Sequence, residues 1–392
     1  MSPVAARAEL VGRALALVAL AGVLAGCSSQ AGHTHSAMVP PAVTAPLDTT
    51  LSTPSGEVAV VAMGILEDPL NTFWQLFFRP GPESPWTLVT PPGVADNGGL
   101  VVSADSLLLA GFEPSQDLTF SPLAASVDQG GSWTPGLVPG GLATVPDALA
   151  VSSGTGLVAL VRDGGGEVLR SGGALSTWSE LAGRDDLASS ADGRTCGVGE
   201  LTAVAVDASH GALVGTTCTS PGVVGIFDAI GGVWQLVGPR LATPSAPTKV
   251  LRLTDVNGAC DALVASAGGS AIGLIGVTGA PGGPWSSSPP LSLVPGADIV
   301  STAVASDGGF VVLASARNRP LALDVENGPG GPWRALPTPP LRTTTVVVSG
   351  DGEVDALVAA ATVLTDWRLD APTATWSKIG TVSVPIAFGS SS

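Results

Sequence analysis

The chain has 392 residues, 45% of them hydrophobic and 12% charged, with a net charge of −16 at neutral pH. That balance excludes the basic footprint of a nucleic-acid binder. A content of 52 Gly and 33 Pro suits short strands and tight turns rather than long charged helices.

The N-terminus carries Arg7 and Arg13, then an apolar run from Ala14 to Leu24 that ends in Leu24-Ala25-Gly26-Cys27. The run is short for a membrane span and finishes in small residues, as a cleaved signal does. The four-residue ending resembles the lipobox of bacterial lipoproteins. The resemblance implies cleavage after residue 26, diacylation of Cys27 (palmitate-type chains), and attachment to the extracytoplasmic face of the cell membrane. Two acyl chains hold a protein stably where one is marginal. Loss of residues 1–26 removes Arg7, Glu9 and Arg13 and leaves a mature charge of −17. Residues 27–56 are rich in Ser, Thr, Pro and Ala without hydrophobic period, and are expected to form a flexible tether. His33 and His35 within it have no further His or Cys nearby and read as solvated linker.

From residue 57 to 392 the chain reads as one repeat domain. Trp86, Trp133, Trp178, Trp234, Trp285, Trp333 and Trp376 each follow a Gly/Pro/Ser-rich turn, at separations of 47, 45, 56, 51, 48 and 43 residues. That is the length of one four-stranded propeller blade, so the spacing predicts an all-β, seven-bladed β-propeller. A pair of β-sandwiches, the rival architecture, would not require the same Trp turn seven times. Unit four shows the grammar: strands at Leu201–Val206 and Ala212–Thr217, then Val223–Phe227 and the Trp234 strand. Unit six repeats it with Ile299–Ala305, Phe310–Ala314, Leu321–Val325 and Trp333–Leu336.

Unit one offers only Glu57–Ile65, Thr72–Phe78 and the Trp86 strand, whereas Thr381–Ala387 is surplus after Trp376. The expectation is that this C-terminal strand supplies the innermost strand of blade one and closes the ring.

One turn stands out: Ser126-Val127-Asp128-Gln129-Gly130-Gly131-Ser132-Trp133. Its Asp and Ser side chains can bond turn backbone, Gly supplies positive φ, and Trp buries a large surface. The pattern, carried by Ser126, Asp128, Gly130, Ser132 and Trp133, resembles the Asp-box (BNR) repeat of sialidase-type propellers. The resemblance implies a structural turn on the face away from the active site. Sialidases use a Tyr nucleophile with a Glu partner, an Arg triad and an Asp acid/base. This chain has no Tyr, and Arg162, Arg170, Arg252, Arg317, Arg319 and Arg342 match no triad motif.

Cys196, Cys218 and Cys260 remain besides Cys27. Cys196 precedes and Cys218 ends one predicted hairpin, so these two are expected to form a disulfide and Cys260 to be a buried thiol. His210 sits in a turn and lacks the elbow motif of a Ser–His–Asp hydrolase. Asp-rich turns lack the regular oxygen spacing of a calcium loop. The sequence thus points to no catalytic residue, no cofactor and no metal. It reads as a monomeric, membrane-anchored, non-enzymatic propeller that binds a protein or scaffolds an assembly. The alternative reading is a sialidase-like propeller that binds or hydrolyses glycans.

Overall fold

The structure, a computed structural model, describes residues 49–64, 72–91, 96–104, 106–114, 123–136, 146–152, 156–162, 165–171, 175–207, 211–242, 246–256, 258–268, 271–316 and 319–385. Residues 1–26, Cys27, His33, His35 and His210 lie outside them. Among the described residues the strands pair antiparallel into four-stranded units whose order in space is their order in sequence, the blades of a β-propeller. Blade one comprises Thr50–Thr53, Gly56–Gly64, Thr72–Arg79 and Thr87–Leu88. Blades two, three, six and seven are likewise separate sheets. Blades four and five share one sheet, because Thr217 and Cys218 pair with Lys249 and Thr248. The fourth strand of blade five is split into Trp285–Ser287 and Leu291–Leu293, both on Ala271–Gly279.

Side chains alternate across a strand, and here both faces are covered, which is why the strands read as continuous Val/Ala/Leu. In Gly56–Gly64, Val58 and Val60 face blade two, while Ala59, Val61 and Met63 face blade seven. The apolar core is accordingly divided into seven clusters, one at each junction between neighbouring blades, the seven–one junction included. The recurrent Trp explains itself in the same terms. Trp133, Trp178, Trp234, Trp285, Trp333 and Trp376 each pack into the cluster shared with the preceding blade, and Trp86 packs against blade seven. Three of these indole N–H groups cross the same gaps: Trp133 Nε1 donates to Val89 O, Trp333 Nε1 to Ser288 Oγ and Trp376 Nε1 to Pro337 O, whereas Trp178 Nε1 donates to Leu175 O in its own turn.

Two expectations are corrected. The innermost strand of blade one is Thr50–Thr53, paired with Gly56–Ala59, and not the C-terminal strand. The domain therefore begins within the segment assigned to the tether; Thr49 and Thr50 are buried at 3% and 1% exposure. Residues 381–383 instead complete Thr375–Ser383, the outermost strand of blade seven. The physical reason is that Thr and Ser suffice for a strand buried at the propeller axis, so polar composition concealed it. The ring closes without strand exchange. One backbone bridge, Gly64 N to Ala361 O at 2.9 Å, joins the two blades; Val384 packs into their shared core.

Two short helices, Arg184–Ser189 and Ala191–Cys196, lie between blades three and four. Ser190 Oγ accepts from Gly193 N at 2.8 Å, and Gly197 ends the second helix with φ of 67°. Cys196 thus ends a helix and bonds to Cys218 at the end of Gly211–Cys218, pinning the helices to blade four. Cys260 is buried in blade five and takes no part in that disulfide.

Candidate functional site

The first strands of blades one to six, with Gly350 of blade seven, line a cavity of about 560 Å³. Its walls are small and apolar (Val101, Leu149, Val204, Val304 and their neighbours), with Ser and Thr hydroxyls between them. Among the described residues, the ionisable side chains lining it are Arg252 and Asp255. Arg252 is committed to structure: Nη1 donates to Thr302 O and Oγ1, each at 2.9 Å, and Nη2 to Thr50 O at 3.2 Å. It ties blade five to blade six and to the innermost strand of blade one. That role was not legible while Thr50 was read as tether.

The cavity lining lies at the ends of first strands (Ser103, Val151, Val206, Val256) and in the turns that follow (Pro54, Ser306, Gly350). It therefore opens on the face that carries every turn between strands one and two. Antiparallel alternation puts the turns between strands three and four on the same face. The described parts of these turns carry Glu83, Asp128, Asp307, Asp351 and Glu353 and no Lys or Arg. Arg162, Arg184, Arg194, Arg240 and Arg342 all lie in connections on the opposite face.

The Ser126–Trp133 turn is a closed hydrogen-bond unit on the acidic face. Ser126 Oγ accepts from Gly130 N at 2.7 Å; Asp128 Oδ1 accepts from Ser132 N at 2.8 Å and Oδ2 from Ser132 Oγ at 2.7 Å. These donors pull the Asp128 carboxyl down to about 2. Gln129 and Gly130 have φ of 61° and 89°. Gly130 is required because a Cβ there would stand 2.6 Å from the Val89 side chain. With its oxygens engaged in the turn, Asp128 is spent on shape.

The junction of blades seven and one holds a charged cluster that the sequence reading missed. Arg79, wholly buried, donates from Nε to Glu57 at 3.0 Å and from Nη1 to Asp366 Oδ2 at 2.9 Å, and pairs through Nη2 with Asp355. Its guanidinium stacks on Trp86, 4.5 Å from the ring centroid. Trp86 Nε1 donates to Asp366 Oδ2 at 2.7 Å. Arg368 pairs with Asp355, Glu83 and Glu353. Burial, with Asp355 next to it, pushes the Asp366 carboxyl up to about 6 against the pull of Arg79.

The junction of blades five and six repeats this frame with different charges. Asp261-Ala262-Leu263-Val264-Ala265 and Asp355-Ala356-Leu357-Val358-Ala359 occupy second strands in matching register. Leu263 pairs with Gly276 where Leu357 pairs with Asp366. Glu326 of blade six lies against Gly276, whose missing Cβ would stand 2.1 Å from Glu326 Oε1. Burial raises both Asp261 and Glu326 to about 7, aided by Asp255 and Asp307 near Asp261 and by Asp261 and Asp307 near Glu326. The repeated pentapeptide was the available sequence signal.

Arg317 and the side chain of Arg319 lie outside the described part, and among the described residues the other arginines singled out from the sequence do not converge. Arg162 pairs with Asp147 at a blade-three edge, Arg252 is in the channel wall, and Arg342 sits in the connection from blade six to seven. Among the described residues no three His, Cys, Asp or Glu side chains are grouped to hold a metal ion, and no helix is long and apolar enough to cross a membrane.

The strand order and the axial cavity define the chain as a β-propeller. No family model and no curated protein matches it. Similar solved structures include YCF48 from Cyanidioschyzon merolae, at 14% identity and a TM-score of 0.43, covering 78% of this chain and 94% of that one. The Cps50 (Swd1) β-propeller domain of Myceliophthora thermophila has 12% identity and a TM-score of 0.43, over 86% and 99% of the two chains. A fucose-specific lectin from Aleuria aurantia has 13% identity and a TM-score of 0.41, over 86% and 96%.

Proposed function

We propose that the protein is a non-enzymatic binding module, anchored through a lipidated Cys27 at the extracytoplasmic face of the membrane, that takes a basic segment of a partner protein at its channel mouth. The observation that carries this reading is the placement of the basic side chains and not a full segregation of charge, because the opposite face mixes Arg162, Arg184 and Arg194 with Asp147, Asp185, Asp186 and Asp192. The face on which the cavity opens has acidic turns without a single Lys or Arg in their described parts, and arginines sit in the connections opposite. A low-dielectric recess rimmed by one sign of charge concentrates ligands of the other sign. The Leu24-Ala25-Gly26-Cys27 sequence supports the anchor, and residues 28–48 provide a tether. The repeated Trp turns, with their likeness to Asp-boxes, serve as joints between blades.

A photo-crosslinking side chain at Ser306 should trap the partner, and one at Val294, on the opposite face, should not. Asp307→Lys should weaken the interaction about tenfold or more. Crosslinks confined to Val294 would overturn the reading. So would turnover of sialosides or aryl glycosides that disappears with Asp255→Asn.

A further inference from the structure

The two buried carboxyls of the five–six junction lie directly behind the channel rim. Ala305 and Ser306 line the cavity, and Asp307 and Gly308 continue their turn across the carboxyl of Asp261. The fit is close. A Cβ on Gly308 would stand 2.4 Å from Asp261 Oδ2 and 3.2 Å from Pro329 Cγ in the neighbouring turn. Glu326 reaches under both turns: its Oε2 accepts from Phe310 N at 3.3 Å, and the backbone of Gly330 also favours its ionised form. Asp261 and Glu326 are 1% and 3% exposed. The Thr278 hydroxyl stands beside Asp261, and Asp255 and Asp307 add like charge. Cys260, next in the strand, packs into the four–five junction instead. Among the described residues no Lys or Arg acts on either carboxyl. Neutral carboxyls fit this dry junction, whereas ionisation sets them against each other and against Asp307 with no cation between.

We propose that the Asp307–Gly308 turn is a latch on the channel mouth, closed while Asp261 and Glu326 are protonated and lifted when they ionise, which adds two carboxylates to the rim. That the added charge tightens the hold on a basic partner segment rests on the channel-mouth reading; the latch itself does not. Burial sets the threshold, since both carboxyls are raised to about 7 and an exposed one titrates near 4. The lifted form thus binds fewer protons and gains as pH climbs through 7. The turn is the part that yields. Asp307 is exposed, and the turn is held by Gly308 N to Ala305 O at 2.9 Å and Gly309 N to Asp307 Oδ1 at 3.0 Å.

The test is residue-resolved hydrogen exchange of the purified full chain at pH 6.5 and 8.5, with rates corrected to those of an unstructured peptide. Protection of the Gly308 and Gly309 amides should fall about tenfold or more across this range. Gly352, whose N–H donates to Ser349 O in the corresponding turn of blade seven, should keep its protection. Asp261→Asn combined with Glu326→Gln should hold the turn closed at pH 8.5. Asp307→Asn, an exposed change that retains the Oδ1 acceptor, should move the step to higher pH and decides the matter should the double variant not fold. Pentalysine amide, cationic throughout the range, should bind the parent about tenfold more tightly at pH 8.5 than at pH 6.5 and the double variant equally at both. Protection at Gly308 that does not change with pH would overturn the latch. So would a step that persists in the double variant or is unmoved by Asp307→Asn. An exchange step without pentalysine binding at either pH would leave the latch standing and overturn the channel-mouth reading alone.

Discussion

Glu326 stands in blade six where Arg79 stands in blade one. Each reaches from a third strand towards the preceding blade and its Asp-Ala-Leu-Val-Ala segment, Arg79 to meet Asp355 and Glu326 to lie beside Asp261. One frame therefore holds an ion-pair cluster at one junction and a pair of carboxyls at another. The two should respond to pH and to mutation in different ways.

At the five–six junction both carboxyls are raised to about 7, above their unfolded values near 4. A raised carboxyl favours the protonated fold, so its contribution is complete below pH 4 and is lost as pH climbs through 7. Stability to urea should fall by a few kcal/mol between pH 5 and pH 8. Glu326→Gln should flatten that slope and stabilise the protein at pH 8. A slope equal to that of the parent would show that the pair does not govern it.

At the seven–one junction the cost lies in breaking a pair. Arg79→Met leaves Glu57, Asp355 and Asp366 buried without their shared partner and should cost about 3–5 kcal/mol. Adding Asp355→Leu should recover part of the loss, since apolar replacement of both partners removes the orphaned charge. Equilibrium denaturation of the single and double variants measures both steps.

The Cys196–Cys218 disulfide closes a sequence separation of 22 residues. Cys218→Ser should lower stability by about 2–4 kcal/mol. Proteolysis of the variant should begin between residues 184 and 197, where the helices lose their tie to blade four.

Cys27→Ser should leave the protein unprocessed or release it from the membrane. Fractionation and mass measurement of the N-terminal peptide check this. A Cys27→Ser variant that is still processed and still membrane-bound would refute the anchor.

Much of this architecture was legible from Trp spacing, because each Trp fills a gap between two blades and the gap recurs whenever a blade does. Strand character was legible in the Val/Ala/Leu runs for the same reason, burial on both faces. The innermost strand of blade one was not, since Thr50-Leu51-Ser52-Thr53 gains its burial from the surrounding ring and not from its own apolarity. Nor was the Arg79 cluster. Its partners lie 276 and 287 positions away in the chain, and only ring closure brings them together. The Cys196–Cys218 pair was legible because a hairpin is local; the helix that delivers Cys196 was not, as six residues give too little periodicity.

The placement of each indole against the preceding blade gives assembly a direction. As the chain emerges from its N-terminus, every new Trp from Trp133 onward finds its neighbour already made and can cap it at once. Trp86 is the exception: the carboxylate that receives its N–H is Asp366, 280 residues later. Blade one must wait with that flank open until almost the whole chain has been delivered. A chain cut short before blade seven would carry an uncovered aromatic and a stranded Arg79, the kind of surface that quality-control proteases and chaperones seize.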